Sequence, residues 1–307
     1  MDSIEKKILE EVADIHKTPA GAYNIRYNGE SQERKSTANI EIVTREDGTG
    51  IDIHVADGTR NETCCIPVVI AKTGHKEVVT NEFFIGEDCD IVIVAGCGIH
   101  NCGSQDSEHD GMHRFHIGRG SKVKYLERHY GEKAEGQTGG AIMNPSTEIY
   151  MAEGSSLEME TTQIRGIDST RRSTKAVLME NASITIKERL LTNGTQYAES
   201  RLDAELIGDG SSANIISRSV ATDESRISFV STIAGKANCH GHTECDSIIM
   251  DRAQILAVPS LDAVHPDASL IHEAAIGKIA GEQLIKLETL GLTEAEAENA
   301  IIEGFLK

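Results

Sequence analysis

The chain has 307 residues, enough for one large domain or two ordinary ones with a sizeable buried core. Its formal net charge of −19 repels phosphate backbones, so a nucleic acid is not expected among its partners. No apolar run approaches the ~20 residues that a membrane span needs. Residues 1–5 also lack the basic start and apolar core of a secretory signal, so we expect a cytoplasmic protein.

Cysteine and histidine are the residue types that carry the most chemistry here. Seven cysteines, an odd number in a long acidic chain, argue against a secreted disulfide framework and leave thiol chemistry or metal binding open. Five of the 12 histidines fall within thirty residues of one another: His100, His109, His113, His116 and His129. With no Trp, 6 Tyr and 5 Phe, the composition favours a core of stacked aliphatic side chains.

The N-terminal segment, 1–39, is predicted to be helical or irregular. Residues 3–16 place apolar side chains at helical spacing, and Pro19 ends the element; these side chains are Ile4, Ile8, Leu9, Val12 and Ile15. From 22 to 84 the pattern changes to short alternating strands. Residues 66–70 read as a buried strand, and we interpret Cys64 and Cys65 just before it as core residues.

From residue 85 onward a unit recurs along the chain. Each copy has a tight turn of Gly, Asn, Asp or Glu with a small residue, followed by alternating apolar positions. The copies are separated by 27 to 34 residues, with occasional half-steps of 14. They span 85–94, 117–126, 151–160, 178–187, 207–216, 221–230, 250–259 and 264–273.

This repeat predicts a parallel β-helix in which strands of successive turns stack on one another. Alternation inside the copies sends one set of side chains inward: Ile91, Ile93, Val123, Tyr125, Ile184 and Ile186. An antiparallel β-sandwich with similar turns is the alternative. We expect the β-helix core over 40–272.

After about residue 270 the alternation fades, and 273–307 are predicted to form a helical hairpin. Residues 273–289 carry a helical apolar face, which Gly291 ends. Thr293 and Glu296 form a capping box that starts a second helix. The hairpin either caps the open end of the stack or docks a partner.

The first candidate site consists of Cys245, His272 and Glu273. Cys245 and Glu273 are 28 residues apart, so a 28-residue turn would place them opposite each other on stacked strands about 4.8 Å apart. Thiolate, imidazole and carboxylate all bind iron or zinc, and a thiolate can also carry a persulfide sulfur. The alternative is a buried cysteine acting as a small apolar side chain beside an ordinary helix start.

A second candidate lies in the Gly-rich stretch 96–116, where Cys97, His100 and Cys102 are candidate metal ligands. Because the stretch falls between two repeat copies, we expect a loop at the edge of the coil. The spacing matches no zinc ribbon, and the alternative is a polar turn with solvated imidazoles. Cys239, close to His240 and His242, is a weaker ligand candidate.

The C-terminal motifs are specific. Cys245-Asp246-Ser247 is followed by HEA at 272–274, KI at 278–279 and EQL at 282–284. The tail begins with GLTE at 291–294 and contains GF at 304–305. Over about 240–307 this pattern resembles the SufB/SufD family of iron–sulfur cluster assembly proteins, in a compact SufB-like form. The repeats over about 85–265 agree with that family. The resemblance implies a mainly β, right-handed parallel β-helix whose C-terminal helices bind a SufC-like ABC ATPase. It also implies subunits that pair through the last strands of the helix.

The resemblance assigns roles to individual residues. Cys245 matches the cysteine that receives sulfur and holds the cluster, Glu273 its partner carboxylate, and His272 the histidine that SufB and SufD share. The implied ATPase-docking residues are Lys278, Gln283, Leu284, Gly304 and Phe305. Because the SufB-type and shared residues lie in one chain, a homodimer can supply both halves of the site, with a SufB/SufD-type heterodimer as the alternative.

The function implied is a scaffold that binds iron and a transient iron–sulfur cluster and passes it to apo iron–sulfur proteins. We expect no enzymatic activity in this chain, with ATP hydrolysed by the partner. The alternatives are a metal-binding regulator that uses the Cys/His stretch, or a carbohydrate-active β-helix enzyme. The lack of Trp and the few Tyr argue against the carbohydrate-active enzyme.

Overall fold

The computed structural model describes residues 3–13, 19–134, 136–163 and 166–307, and it forms a parallel β-solenoid of about 8 turns. Two ten-stranded sheets form its walls. The first sheet contains β1 (Ala22–Tyr27), β2 (Glu30–Lys35), β5 (Arg60–Ile70), β7 (Asp90–Asn101), β9 (Lys122–Lys133), β12 (Ser156–Gln163), β14 (Ser183–Thr192), β16 (Ser212–Ala221), β18 (His240–Ile249) and β20 (Ser269–Gly277). The second contains β3 (Ile40–Thr44), β4 (Gly50–Val55), β6 (Lys76–Ile85), β8 (Ser107–Ile117), β10 (Ala141–Met143), β11 (Ser146–Met151), β13 (Ser169–Leu178), β15 (Tyr197–Leu206), β17 (Arg226–Gly235) and β19 (Gln254–Ala263).

The repeat found in the sequence corresponds to the stacking of strands in the first sheet. Lys122 pairs with Ser156, Ser156 with Ser183, and Ser183 with Ser212, always in parallel register. The copies at 221–230 and 250–259 lead instead into β17 and β19 of the second sheet, which explains the half-steps of 14 residues. The predicted parallel β-helix is therefore confirmed. Antiparallel pairing is found only for β1 with β2 and for β3 with β4 in the described part of the chain.

The turns before the first-sheet strands are stacked in the same way as the strands. The amide of Asp88 donates to the carbonyl of Arg119, and that of Gly120 donates to the carbonyl of Glu153. Most of these turns contain a residue with positive φ, a conformation that Gly, Asn and Asp tolerate best. These residues include Asp88 (52°), Gly120 (67°), Gly154 (65°), Asn181 (53°) and Gly210 (71°).

The core between the two sheets is built from the alternating positions. All six side chains predicted to point inward are at most 3% exposed, and they belong to one continuous cluster that runs along the solenoid. Phe83 stacks on Phe115 with ring centroids 4.4 Å apart, and Tyr125 meets Phe115 edge-on. Stacking equivalent residues on successive turns buries apolar surface on every lap, which stabilises the coil.

Helix α1 (Ser3–Ala13) lies on the outer face of the first sheet. It buries Ile8, Leu9 and Val12 in a cluster that also contains Cys65. Both Cys64 and Cys65 are buried core residues, as predicted. The C-terminal part of the predicted helix, including Ile15, lies outside the described residues. The N-terminal segment also contains β1 and β2, which extend the first sheet.

The C-terminal region differs from expectation at its start. The prediction of a helix beginning at 273 is wrong, because β20 continues to Gly277 in register with β18. Helices α2 (Gly281–Thr289) and α3 (Glu294–Phe305) then form the hairpin, and the capping box of Thr293 and Glu296 is present as predicted. None of the described helices is long and apolar enough to cross a membrane.

Candidate functional site

Cys245 lies on the inner face of β18, near the C-terminal end of the solenoid. Its side chain is 1% exposed, and it pairs with Ser217 on one neighbouring strand and with Ala274 on the other. Only the edge strand β20 lies between this position and the end of the first sheet. The thiol is therefore buried by the stack but close to its open end.

The predicted contact between Cys245 and Glu273 is wrong in register. His240 pairs with Ser269, so this lap is one residue longer than 28, and Glu273 pairs with Glu244. A shift of one residue moves a side chain to the other face of a strand. The Glu273 carboxylate is thus on the outer face, 68% exposed, with its Oε2 3.6 Å from Nε2 of His242.

His272, by contrast, is on the same inner face as Cys245. It pairs with Thr243, which is two residues from Cys245 on β18 and fully buried. Nδ1 of His272 and Oγ1 of Thr243 are both buried without a hydrogen-bond partner among the described residues. Buried polar atoms without partners are costly, so this pair fits a site that is completed by an added group. Imidazole and thiolate together suit iron or zinc.

The Cys245 thiol is not activated by its surroundings. Burial raises the pKa of Cys245 to about 11, a hydrogen bond from Ser247 acts in the opposite direction, and the nearby Glu188 charge adds to the increase. The sulfur is therefore protonated at neutral pH in the isolated chain. Binding an iron ion would displace that proton, because the thiolate is the ligand form.

The open end of the solenoid exposes apolar side chains of the last two strands. On β19 Leu256 is 59% and Val258 44% exposed, and on β20 Ile271 is 53% exposed. Both strands also have a free edge, since each ends its sheet. A free strand edge with exposed apolar residues is the usual signature of an interaction surface.

The stretch 96–116 is not the loop that the sequence predicted. It forms the second half of β7 and nearly all of β8, with a turn over 102–106. The glycines serve packing: a Cβ on Gly98 would lie 2.0 Å from Cγ2 of Ile8, and one on Gly96 would lie 2.4 Å from the carbonyl oxygen of Val12. Both glycines thus let α1 approach the sheet.

The structure does not bring Cys97, His100 and Cys102 together. Cys97 points inward and pairs with His129, whereas His100 pairs with Glu132 three positions along and so belongs to the opposite face. Cys102 is exposed in the following turn. Cys239 is fully buried. In their present positions, no three His, Cys, Asp or Glu side chains of the described chain lie close enough together to hold a metal ion.

Sequence reasoning missed a row of charged residues inside the solenoid. Arg172 reaches across from the second sheet to form an ion pair with Glu127, and its Nε lies 3.7 Å from Glu188. Burial opposes ionisation of Glu127, but Arg172 and then His129 hold its pKa well below the usual value. Burial raises the pKa of Glu188 above its usual value despite the same guanidinium.

This row leads along the inner wall toward Cys245. In the first sheet Glu127 pairs with Thr161, Thr161 with Glu188, Glu188 with Ser217, and Ser217 with Cys245. The sequence contained a usable signal, because these positions recur at the repeat spacing and fall on inward positions. Apolar alternation alone does not reveal them, because their side chains are charged or polar.

The predicted docking residues lie in and around the hairpin. Lys278 and Gln283 are exposed, Leu284 is half-buried in α2, Gly304 is exposed, and Phe305 is half-buried at the end of α3. Two arginines of the first sheet hold the end of the chain. Nη1 of Arg218 donates to the Phe305 carbonyl at 3.4 Å, and Nη2 of Arg189 donates to the Lys307 carbonyl at 3.3 Å.

Comparison with known proteins finds relatives that share one family description. The chain is 29% identical over 240 residues to an iron–sulfur cluster assembly SufBD family protein of Methanothermobacter thermautotrophicus, covering 77% of this chain and 56% of the relative. It is 26% identical over 263 residues to one of Archaeoglobus fulgidus, covering 85% and 69%. A third, from Pyrococcus horikoshii, is 28% identical over 270 residues, covering 85% and 78%.

The chain thus spans little more than half the length of the Methanothermobacter relative. Residues 99–305 match the family described as "SUF system FeS cluster assembly, SufBD core domain". That match contains most of the solenoid and both C-terminal helices. The chain therefore belongs to the SufBD family of iron–sulfur cluster assembly proteins.

Proposed function

We propose that the chain is a scaffold subunit on which an iron–sulfur cluster is assembled, with Cys245 and His272 as the residues that bind it. The supporting observation is that this thiol and this imidazole share the inner face of the last two strands of the first sheet. Nδ1 of His272 is buried and has no hydrogen-bond partner in the described chain, so it is available to bind an added group. The SufBD family membership supports the same assignment.

Cys245 is proposed to receive sulfur from a donor persulfide. Its thiolate attacks the outer sulfur of the donor, a new S–S bond forms at Cys245, and the donor's own S–S bond breaks so that it leaves as a thiolate. The high pKa of Cys245 makes this step slow in the isolated chain. A change at the open end that lowers this pKa would speed the step.

We propose that the chain works with two partner subunits. A second copy, or a related SufB/SufD-type subunit, pairs with the exposed edges of β19 and β20, so that the site lies near the seam. A SufC-like ABC ATPase docks on α2 and α3 through Lys278, Gln283, Leu284, Gly304 and Phe305. ATP turnover in that subunit opens or closes the seam, and this chain itself needs no catalytic turnover. Apo iron–sulfur proteins are the proposed recipients.

Glu273 has a separate role in this proposal. Its exposed carboxylate and the His242 imidazole form an oxygen and nitrogen pair on the outer face of the same strands. Such a pair suits the capture of an incoming iron ion.

We propose the cytoplasm as the compartment of this protein. The cytoplasm is reducing, which fits the seven free thiols of the chain.

Anaerobic reconstitution with iron and sulfide tests the assignment. We expect Cys245→Ala to lose most of the cluster absorbance that the wild-type chain gains. Cys239→Ala is the matched control, because Cys239 is also buried in the last turns, and it should keep that absorbance. Full absorbance in Cys245→Ala, with circular dichroism unchanged, would show that Cys245 does not hold the cluster.

A further inference from the structure

An aromatic ladder runs along the outer face of the second sheet. It takes one ring from each of four neighbouring strands: His54, Phe84, His116 and Tyr150. The ring centroids are 4.8, 5.1 and 5.4 Å apart, and the ring planes lie within 10° of parallel. Both faces of Phe84 and of His116 are therefore covered by neighbouring rings, and only their edges remain free. Such a ladder does not offer the open ring face on which a nucleic-acid base stacks.

A shallow groove lies beside this ladder, at the corner where the second sheet turns toward the first. Its volume is about 550 Å³, and Met151, Val177 and Met179 line it together with the rings. Met179 is 46% and Tyr150 45% exposed. An exposed apolar strip with a polar margin typically marks a protein–protein contact.

The length of the groove follows from the strands that it crosses. It runs from His54 on β4 to Met179 just after β13, which is four strand spacings or roughly 19 Å. Three further spacings, roughly 14 Å, separate β13 from the free edge at β19. A partner in the groove therefore leaves the proposed dimer surface and the cluster site accessible.

One margin of the groove is acidic. The turns after the crossed strands stack through backbone hydrogen bonds, such as that from the amide of Gly154 to the carbonyl of Glu180. Four of the five equivalent turn residues are exposed acids: Asp57, Glu87, Glu153 and Glu180. Nη2 of the fifth, Arg119, lies 3.0 Å from Oε2 of Glu87. This acidic margin therefore attracts cations.

The opposite side of the ladder is close to neutral. Nε of Arg114 lies 2.8 Å from Oε2 of Glu148, and its Nη1 lies 3.4 Å from Oε2 of Glu82. Lys175 lies between Glu148 and Asp203 in the strand register. The groove thus combines an apolar strip with one strongly acidic margin.

A helix suits this groove better than an extended peptide. The groove crosses strands whose backbone groups already pair within the sheet, so an extended segment would find no partners there for its own N–H and C=O groups. A helix satisfies these groups internally and can lay an apolar face into a groove. About 13 residues, at ~1.5 Å each, span its length.

The charges argue against a second copy of this chain as the occupant. Each copy carries a net charge of −19. Helix α1 already buries its apolar face on the first sheet. Helix α2 has two glutamates and one lysine, and α3 has four glutamates and no basic residue. These helices would bring acidic side chains to an acidic margin.

We propose that this groove docks a basic amphipathic helix of a partner protein. Aliphatic side chains of that helix contact the ring edges and Met179, and its Lys or Arg side chains lie beside Glu153 and Glu180. The charge of the margin speeds the encounter, and burial of Tyr150 and Met179 holds the complex. The docking site does not depend on cluster assembly at Cys245.

A synthetic helix tests this proposal with the full chain. The probe is a peptide of about 14 residues with Leu at i, i+3, i+4 and i+7 and Lys beside the Leu stripe. It carries a fluorophore and a photocrosslinker, and a second peptide has Glu in place of every Lys. We expect only the Lys peptide to bind, at one equivalent, as measured by fluorescence anisotropy. Its cross-links should map by mass spectrometry to 84–87, 150–153 and 177–180.

Met179→Lys tests the apolar strip, because it places a cation where the basic helix would dock. We expect it to weaken binding of the Lys peptide at least about tenfold. Val78→Lys is the matched control: Val78 is 67% exposed on the same sheet but outside the groove, and this variant should bind as wild type does.

The double variant Glu153→Lys, Glu180→Lys tests the acidic margin and should also weaken binding at least about tenfold. Its control is Glu46→Lys, Glu303→Lys, which changes the net charge equally at exposed positions outside the groove and should have little effect. Circular dichroism checks that each variant is folded.

Several results would overturn the proposal. Equal effects of Met179→Lys and Val78→Lys would remove the groove as the site, and equal effects of the two double variants would leave only attraction to the net charge. Equal binding of the Glu peptide would contradict the role of the acidic margin. A dimer that Met179→Lys dissociates would make a second copy the occupant, and failure of the Lys peptide to bind the wild-type chain would refute docking of a basic helix.

Discussion

At the scale of single residues, the reactivity of Cys245 follows from its place in the stack. The side chain is closed in by its neighbours in β16 and β20, and desolvation disfavours the thiolate. A thiol with a pKa near 11 holds about a hundredfold less thiolate at pH 7 than one near 9.

We therefore expect alkylation of Cys245 by iodoacetamide to rise steadily from pH 7 to about pH 11 without levelling off near pH 9. Peptide mass spectrometry of the isolated chain measures the rate at each pH. The exposed Cys102 thiol gives an internal standard and should react much faster at pH 7. Equal rates for the two cysteines at pH 7 would contradict the buried, protonated state of Cys245.

Arg172 is the residue on which the interior charges depend. Replacing it by Leu leaves the buried Glu127 and Glu188 without their cation, so we expect a loss of about 3–5 kcal/mol in the free energy of unfolding. Urea denaturation compares the midpoints. Arg171→Leu is the neighbouring control, since that side chain is 69% exposed and 3.9 Å from Glu199, and it should change stability by less than ~0.5 kcal/mol. Similar midpoints for both variants would refute a structural role for Arg172.

At the scale of elements, the C-terminal hairpin depends on local capping more than on burial. Helix α2 has no buried residue and α3 has only Ala297. The side chain of Thr293 accepts from the amide of Glu296, and the Glu296 carboxylate accepts from the amide of Thr293. The start of α3 is therefore held mainly by this pair.

Thr293→Ala should destabilise α3 by about 1 kcal/mol, because it removes the side chain that caps the helix. Amide hydrogen exchange of residues 294–305 should accelerate roughly fivefold, while the solenoid strands remain unchanged. Thr289→Ala is a suitable control, since that hydroxyl only donates to the carbonyl of Lys286. Unchanged exchange in Thr293→Ala would show that contacts with the sheet, and not the cap, hold α3.

The stacking of the strands could be predicted from the sequence, whereas the contact of α1 with the first sheet could not. The repeat predicted the stacked strands because most turns and most inward positions follow local chemistry: positive φ at the turn and apolar side chains toward the axis. It did not predict that Gly96 and Gly98 belong to a strand, since their role is to admit Ile8 and Val12 from the distant α1.

Register is harder to predict than architecture. Laps differ in length, so an average spacing cannot say which residues pair on a given lap. The pairing of Cys245 with Ala274 instead of Glu273 is an error of one residue, yet it reverses which face the carboxylate occupies. His272, which the sequence also singled out, is the residue that shares the inner face with Cys245.

At the scale of the whole molecule, the solenoid is asymmetric. The outer face of its first turns is covered by α1, whereas the outer faces of β19 and β20 expose apolar residues beside free strand edges. Pairing of two copies through this end would bury those residues and remove both edges.

We expect the wild-type chain to sediment as a dimer at micromolar concentration and the double variant Leu256→Lys, Val258→Lys to sediment as a monomer. Charges at these positions would have to be desolvated at the seam. Val78→Lys is the control, because Val78 is 67% exposed but lies on β6, away from the open end, and it should remain dimeric. A monomeric wild type, or a double variant that stays dimeric, would rule out pairing through this surface.

The central claim is that the inner-face pair Cys245 and His272 holds the cluster, while Glu273 acts from the outer face. The most direct measurement is the iron and acid-labile sulfide content per chain after anaerobic reconstitution of His272→Ala and Glu273→Ala with iron in excess. The account predicts that His272→Ala falls to less than about half of the wild-type content and that Glu273→Ala stays close to it. The reverse order, with Glu273→Ala depleted and His272→Ala normal, would contradict it.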